Sequence, residues 1–184
     1  MKATEELVKE HEGIKLMLRI LASVAKRIQG GAVVPQSDLE GIGEFLSIFV
    51  DKCHHGKEEE FLFPSLEQAG VPREGGPIGV MLAEHAEGRR ITARLKEAFA
   101  AYGSGRGAAA REILEAADDY VGLLSQHIEK ENQILFPMAE GRLNEADDAR
   151  LVESFEDLER ERIGQGKHEE FHRMLGRLED KYLP

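Results

Sequence analysis

Tryptophan is absent from this 184-residue chain, aromatic residues make up only 6% of it, and cysteine occurs once, as Cys53. A single thiol excludes an internal disulfide framework and leaves too few thiolates for a cysteine-rich zinc site. No apolar run approaches the ~18 residues of a membrane span. The opening Met-Lys-Ala-Thr-Glu-Glu carries no apolar segment of a signal peptide, so the expected location is the cytoplasm. Basic residues are scarce beside acidic ones, 24 against 35, for a net charge of −11. That balance argues against nucleic acid or an anionic membrane as partner, and solubility is reason enough for it. Strand-type alternation is also missing. The glycine-rich Gly103-Ser-Gly-Arg-Gly107 follows no strand and does not end in Gly-Lys-Ser/Thr, so it is a helix break rather than a phosphate loop.

What is present is helical periodicity. Leu7, His11, Ile14, Leu18, Leu21, Ala25 and Ile28 alternate in steps of four and three, which predicts a bundle helix over 3–29 with His11 on its core seam. Ser37-Asp38-Leu39-Glu40 reads as a capping box opening a second helix, whose inward stripe is Leu46, Val50, His54, Glu58 and Phe61. A third helix, from about 77 to 102, carries Ile78, Met81, Leu82, His85, Thr92, Leu95, Phe99 and Tyr102. A fourth, about 108–136, carries Ile113, Ala116, Tyr120, Leu124, His127, Glu131 and Ile134. Asn144 is a natural N-cap for a fifth helix, with Leu151, Phe155 and Leu158 inward. After Gly164-Gln-Gly166, a last helix spans about 167–182. The expectation is an all-α chain. Residues 1–140 form an antiparallel up-down four-helix bundle, and 141–184 a helical extension packed on the same domain.

The bundle repeats itself. His54-His-Gly-Lys-Glu58-Glu-Glu-Phe-Leu-Phe-Pro64 matches His127-Ile-Glu-Lys-Glu131-Asn-Gln-Ile-Leu-Phe-Pro137. Both read His-x-x-x-Glu, then Leu-Phe-Pro, where a proline cannot donate to the helical ladder and bends or ends the helix. His11 precedes His54 much as His85 precedes His127, so the chain reads as two helical hairpins, each with one lone histidine and one His-x-x-x-Glu. On a helix, positions i and i+4 share a face, so imidazole and carboxylate reach one centre together. Four seam histidines and two seam glutamates would each need private partners in a core; a shared cation satisfies all six. Six nitrogen and oxygen donors without thiolate suit iron or manganese. The doubled set suggests two ions, with Glu58 and Glu131 as natural bridges.

His11, His54-x-x-x-Glu58, His85 and His127-x-x-x-Glu131, with the two Leu-Phe-Pro endings, resemble the hemerythrin-like (HHE cation-binding) family over roughly residues 7–139. The resemblance implies a four-helix bundle with a non-haem di-iron centre, two Fe ions bridged by Glu58, Glu131 and an oxo or hydroxo group. His11 and His54 would serve one iron, His85 and His127 the other. It implies a protein that binds or reacts with oxygen, nitric oxide or peroxide, served by a separate electron donor or signalling partner. The alternatives are an iron-donor or iron-sensing module, a di-iron oxidoreductase, and a mononuclear cation-binding protein. Oxygen carriers of the family have a second histidine four residues after the one on the third helix; position 89 here is arginine.

His168, close to the direction of Phe171, Leu175, Leu178 and Tyr182 on the last helix, is a candidate fifth imidazole; otherwise it packs or caps that helix. His55, ~100° round the helix from His54, is expected at the surface or behind a ligand, and Glu59 and Glu60 at the surface. Cys53 is read as a packed thiol, and Tyr120 as core or a hydrogen-bonding neighbour of His127.

Overall fold

A computed structural model describes residues 1–105, 108–164 and 166–183, and these are helical with no strand among them. Helix α1 is Lys2–Gln29. Helix α2, Gln36–Glu44, runs directly into a wider π-helical segment, Phe45–His55, and a second π turn, Glu58–Leu62, leads into α3, Phe63–Gln68. Helix α4 is Pro77–Gly103 and α5 is Ala109–Lys130. A further π turn, Glu131–Leu135, joins α5 to α6, Phe136–Arg142. Helix α7 is Glu145–Leu158, and α8 is Lys167–Tyr182. The glycine-rich break begins where expected at the end of α4, but residues 106 and 107 lie outside the described residues.

Helix α5 packs against both α1 and α4, α8 lies along α1, and the Phe45–His55 segment touches α1, α4 and α8. Every expected seam residue of α1 is buried, as are Ile113, Ala116, Tyr120 and Leu124 of α5. The apolar core divides in two. One cluster holds Ile14 to Ile28 with Phe45, Phe49, Leu95, Ile113 and Tyr120; the other holds Ala3, Leu7, Phe63, Ile78, Leu135, Phe136 and Phe155. On α1, His11 falls between Leu7 of one cluster and Ile14 of the other. A polar layer therefore cuts the core, and a polar layer survives burial only when its groups are partnered.

The Leu-Phe-Pro prolines do not end their helices. Phe63 N–H donates to Glu58 O, and Phe136 N–H to Glu131 O, each a bond five residues back. The wider turn makes room for Pro64 and Pro137 in the first turn of α3 and α6. The extra residue per turn also moves the inward face on by one. Ile134, expected on the seam, is 54% exposed, while Leu135 and Phe136 are buried. Phe61 is likewise only half-buried, and Leu62 and Phe63 point in.

Two caps differ from each other. Asn144 accepts from the backbone of Ala146 and Asp147, and the Asp147 side chain answers the Asn144 N–H, a complete capping box. The Ser37-to-Glu40 box does not form; α2 starts at Gln36 after Pro35 with no side-chain cap. Asp38 has a different role. Arg177, Lys181 and the Tyr182 hydroxyl all donate to its carboxylate, at 2.7, 2.6 and 2.6 Å, pinning α8 to α2. Burial alone would raise Asp38, but these donors bring it down to about 2. The group is therefore depressed in the folded state, so its contribution is complete above the ordinary carboxylate value of about 4 and fades as pH falls toward 2. Asp38→Ala should lower stability by about 2–4 kcal/mol, since it also leaves a buried tyrosine hydroxyl without an acceptor. Urea unfolding at pH 7 and pH 3 checks this: the variant's deficit should shrink at the lower pH.

Candidate metal centre

The polar layer is assembled from six helical segments. Helix α1 supplies His11, the π segment His54, the following π turn Glu58, α4 His85, α5 His127, and the turn after α5 Glu131; all six are at most 1% exposed. The two glutamates occupy the same place, the first residue of a π turn that leads into a helix with proline in its first turn. Such turns swing a side chain out of the ordinary helical register.

The imidazoles face each other in pairs. His11 Nε2 lies 3.0 Å from His54 Nε2, and His85 Nε2 lies 3.0 Å from His127 Nε2. The opposite ring nitrogens fix which atom carries the proton when an imidazole is neutral, as a metal ligand must be. His54 Nδ1 donates to Glu10 (2.7 Å), His85 Nδ1 to Glu59 (2.7 Å), His127 Nδ1 to Glu84 (2.9 Å) and His11 Nδ1 to the Asn132 side-chain oxygen (2.9 Å). A neutral imidazole protonated at Nδ1 has only a lone pair at Nε2. Each pair thus aims two lone pairs at one another, an arrangement that a cation between them turns from repulsive to favourable. Outward Nδ1–H bonds to carboxylate or amide oxygen are also how metal-binding histidines are held.

The carboxylates span the two pairs. Glu131 Oε2 is 3.2 Å from His11 Nε2, and its Oε1 is 3.2 Å from His127 Nε2. Glu58 Oε2 is 3.4 Å from His85 Nε2, and its Oε1 is 3.8 Å from His54 Nε2. None of the four oxygens accepts a hydrogen bond. Burial, and then the neighbouring Glu131, hold Glu58 well above the carboxylate range. Burial would raise Glu131 too, but the His127 and His11 imidazoles outweigh it and hold that group well below the range. Burial drives His54 down to about 4. Among the described residues, three clusters each have donor atoms within 4.8 Å of one another: His11, His54, Glu58 and Glu131, then His55, Glu58, His85 and His127, both in the layer, and outside it Glu10, Cys53, Glu159 and His168. Glu58 belongs to both clusters of the layer. Lone pairs without donors and buried carboxylates without partners fit a pair of cations.

His168 is not brought to this layer. Its Nε2 sits 3.9 Å from Glu10 and 3.9 Å from Glu159, a third of its side chain is exposed, and its ring lies against Phe49 and His172. The glycines before it, with φ of +90° at Gly164 and +82° at Gly166, redirect α8 along α1 and place His168 behind His54's acceptor, Glu10. The imidazole that does join the layer is His55, expected at the surface but 2% exposed, stacked on His85 with ring centroids 3.8 Å apart. Glu59 is not a surface group either, since it holds His85. Cys53 is a buried thiol, pushed up by burial.

The acceptors behind the imidazoles went unnoticed in the pattern, although the repeat contains them. Glu10 and Glu84 each directly precede a lone histidine, and each accepts from the His-x-x-x-Glu histidine of its own hairpin. Glu59 and Asn132 each directly follow a glutamate of the layer, and each accepts from the lone histidine of the other hairpin. Lys57 and Lys130, three residues after those histidines, bind Glu10 and Glu84 in turn.

A helical protein with a buried histidine–carboxylate layer of this kind belongs to the class of metal-binding helical domains. Residues 2–139 match the model for the hemerythrin HHE cation binding domain, and the chain belongs to that family. It is 27% identical over 163 residues to an uncharacterised protein of Mycobacterium tuberculosis (strain H37Rv), covering 89% of this chain and 63% of that one. It is 41% identical over 86 residues to the iron-sulfur cluster repair protein DnrN of Neisseria gonorrhoeae, covering 45% of this chain and 54% of that one. To the iron-sulfur cluster repair protein YtfE of Escherichia coli O81 (strain ED1a) it is 26% identical over 145 residues, covering 72% and 62%. The chain thus spans less than two thirds of the length of these relatives. No solved structure matches it. No helix among the described residues is long and apolar enough to cross a membrane.

Proposed function

We propose that the chain is a non-haem di-iron protein of the cytoplasm that binds or reacts with a small molecule such as oxygen, nitric oxide or peroxide. Two hairpins, α1 with the Phe45–Leu62 segment and α4 with α5, form an antiparallel four-helix bundle over residues 1–140, and residues 141–184 pack on it as part of the same domain. His11 and His54 hold one iron, His85 and His127 the other, and Glu58 and Glu131 bridge them. The observation that carries this reading is the pair of facing Nε2 atoms at 3.0 Å on each side, with both glutamates reaching across the two pairs. A di-iron centre supplies redox chemistry and Lewis acidity toward a small ligand. The chain's own part is to keep Nδ1 protonated outward, to hold two charges' worth of carboxylate in a dry layer, and to seal that layer with apolar clusters on both sides. A separate electron donor would return the centre to its reduced state.

The protein purified after growth with ample iron should contain two irons per chain and absorb in the near ultraviolet, as oxo-bridged ferric pairs do. One tightly held metal per chain, or zinc in place of iron, would refute the reading. Mixing the reduced protein with oxygen, peroxide or nitric oxide should change its spectrum rapidly. Inertness to all three would favour a second reading, iron supply, which the naming of two relatives as iron-sulfur cluster repair proteins supports.

A further inference from the structure

Among the imidazoles of the layer, His55 stands apart: both of its ring nitrogens are buried and neither has a hydrogen-bond partner. An imidazole with no partner in a dry interior costs free energy that native proteins rarely leave uncompensated. Its surroundings say what compensates it. The ring stacks on His85 and stands edge-on to His127, with centroids 5.8 Å apart in the latter case. A nitrogen of His55 lies within 4.8 Å of donor atoms from Glu58, His85 and His127. Its Nδ1 lies 3.8 Å from Asp51 Oδ1, as the Nδ1 atoms of the other four imidazoles face oxygen acceptors. Arg89, four residues after His85, is drawn outward to Asp51 and Glu59.

We infer that His55 is a fifth imidazole ligand, serving the metal position of His85 and His127. This rests on the two-metal reading above and extends it, because it makes the two positions unequal. One has three imidazoles, the other two, and the carboxylates are shared. Sequence periodicity hid this residue because consecutive histidines cannot share one face of a regular α-helix. They can both point inward here because the wider Phe45–His55 segment lies between α1 and α4, with His54 turned to His11 and His55 to His85.

The test is His55→Phe, which keeps an aromatic ring stacked on His85 and removes both nitrogens. Competition titrations with Co(II) against a chelator should resolve two sites in the wild type. The variant should bind one of the two at least tenfold more weakly and leave the other within twofold. Binding of both metals with wild-type affinity and an unchanged visible spectrum would overturn the assignment. A wild type that binds fewer than two Co(II) ions would instead refute the underlying two-metal reading. A measurement on the wild type alone guards against misfolding of the variant. In the Co(II)-loaded protein each ligating histidine gives one hyperfine-shifted, exchangeable ring N–H proton signal, and five are expected. Four such signals would exclude His55.

Discussion

Glu58→Gln is expected to strip most of the metal from the protein while leaving the metal-free fold as stable as before or more so. The two effects have opposite signs for one reason. Glu58 is fully buried beside a second carboxylate, and no donor reaches either of its oxygens. With protein groups alone, its ionised form is opposed by burial and by Glu131, so a neutral amide of the same shape relieves a cost. With metals present, the same carboxylate is the anion that reaches both histidine pairs, and an amide nitrogen cannot take that place. A metal at a thousand times its dissociation constant stabilises the folded chain by about 4 kcal/mol. Most of that gain should vanish in the variant. Thermal unfolding with and without Fe(II), under nitrogen, should show the variant at least as stable as the wild type without metal and far less stable with it. Glu131→Gln should behave differently without metal. Glu131 is the ionised partner of His127, whose pKa is raised despite burial by Glu131 and Glu84, so losing that charge should lower even the metal-free stability. Full metal content and an unchanged spectrum in Glu58→Gln would remove the bridging role.

The six residues of the layer were legible because each repeats at helical spacing on an otherwise apolar seam, and a polar group there is conspicuous. The helices of α1, α4, α5 and α7 were legible for the same reason, down to the Asn144 cap. What periodicity could not show is where the period changes. A π turn at Glu131 exchanges Ile134 for Leu135 on the inner face, and the wide Phe45–His55 segment brings in His55, which a regular helical wheel turns away. Nor could spacing along one chain show contacts between hairpins, such as Glu59 on His85 and Asn132 on His11. His168 shows the reverse error: its direction on the α8 wheel was nearly right, but the placement of α8 beside α1 sets it behind Glu10.

The acceptors behind the ligands lead to the last expectation, which separates holding a metal from holding the fold. Glu10 Oε2 accepts from His54, and its Oε1 accepts from Lys57 at 2.6 Å. Burial would raise Glu10, but His54 and Lys57 bring it down to about 2. The ammonium of Lys57 is fully buried and is also bound by Glu6 and Glu159. Glu10→Gln should therefore have two consequences. Removing one of the three carboxylates around a buried ammonium should lower stability by about 1–3 kcal/mol. Weakening the acceptor that fixes the His54 tautomer should lower metal affinity about 10- to 100-fold. Combining it with Lys57→Met removes the buried ammonium left with only Glu6 and Glu159, so stability should recover while affinity does not. Glu84, the counterpart in the second hairpin, faces a partly exposed Lys130. Its glutamine variant should lose affinity to a similar degree but less than about 1 kcal/mol of stability. Urea unfolding of the metal-free proteins, paired with Co(II) competition titrations, separates the two quantities. Metal affinity within twofold of wild type in both Glu10→Gln and Glu84→Gln would show that these carboxylates serve packing alone.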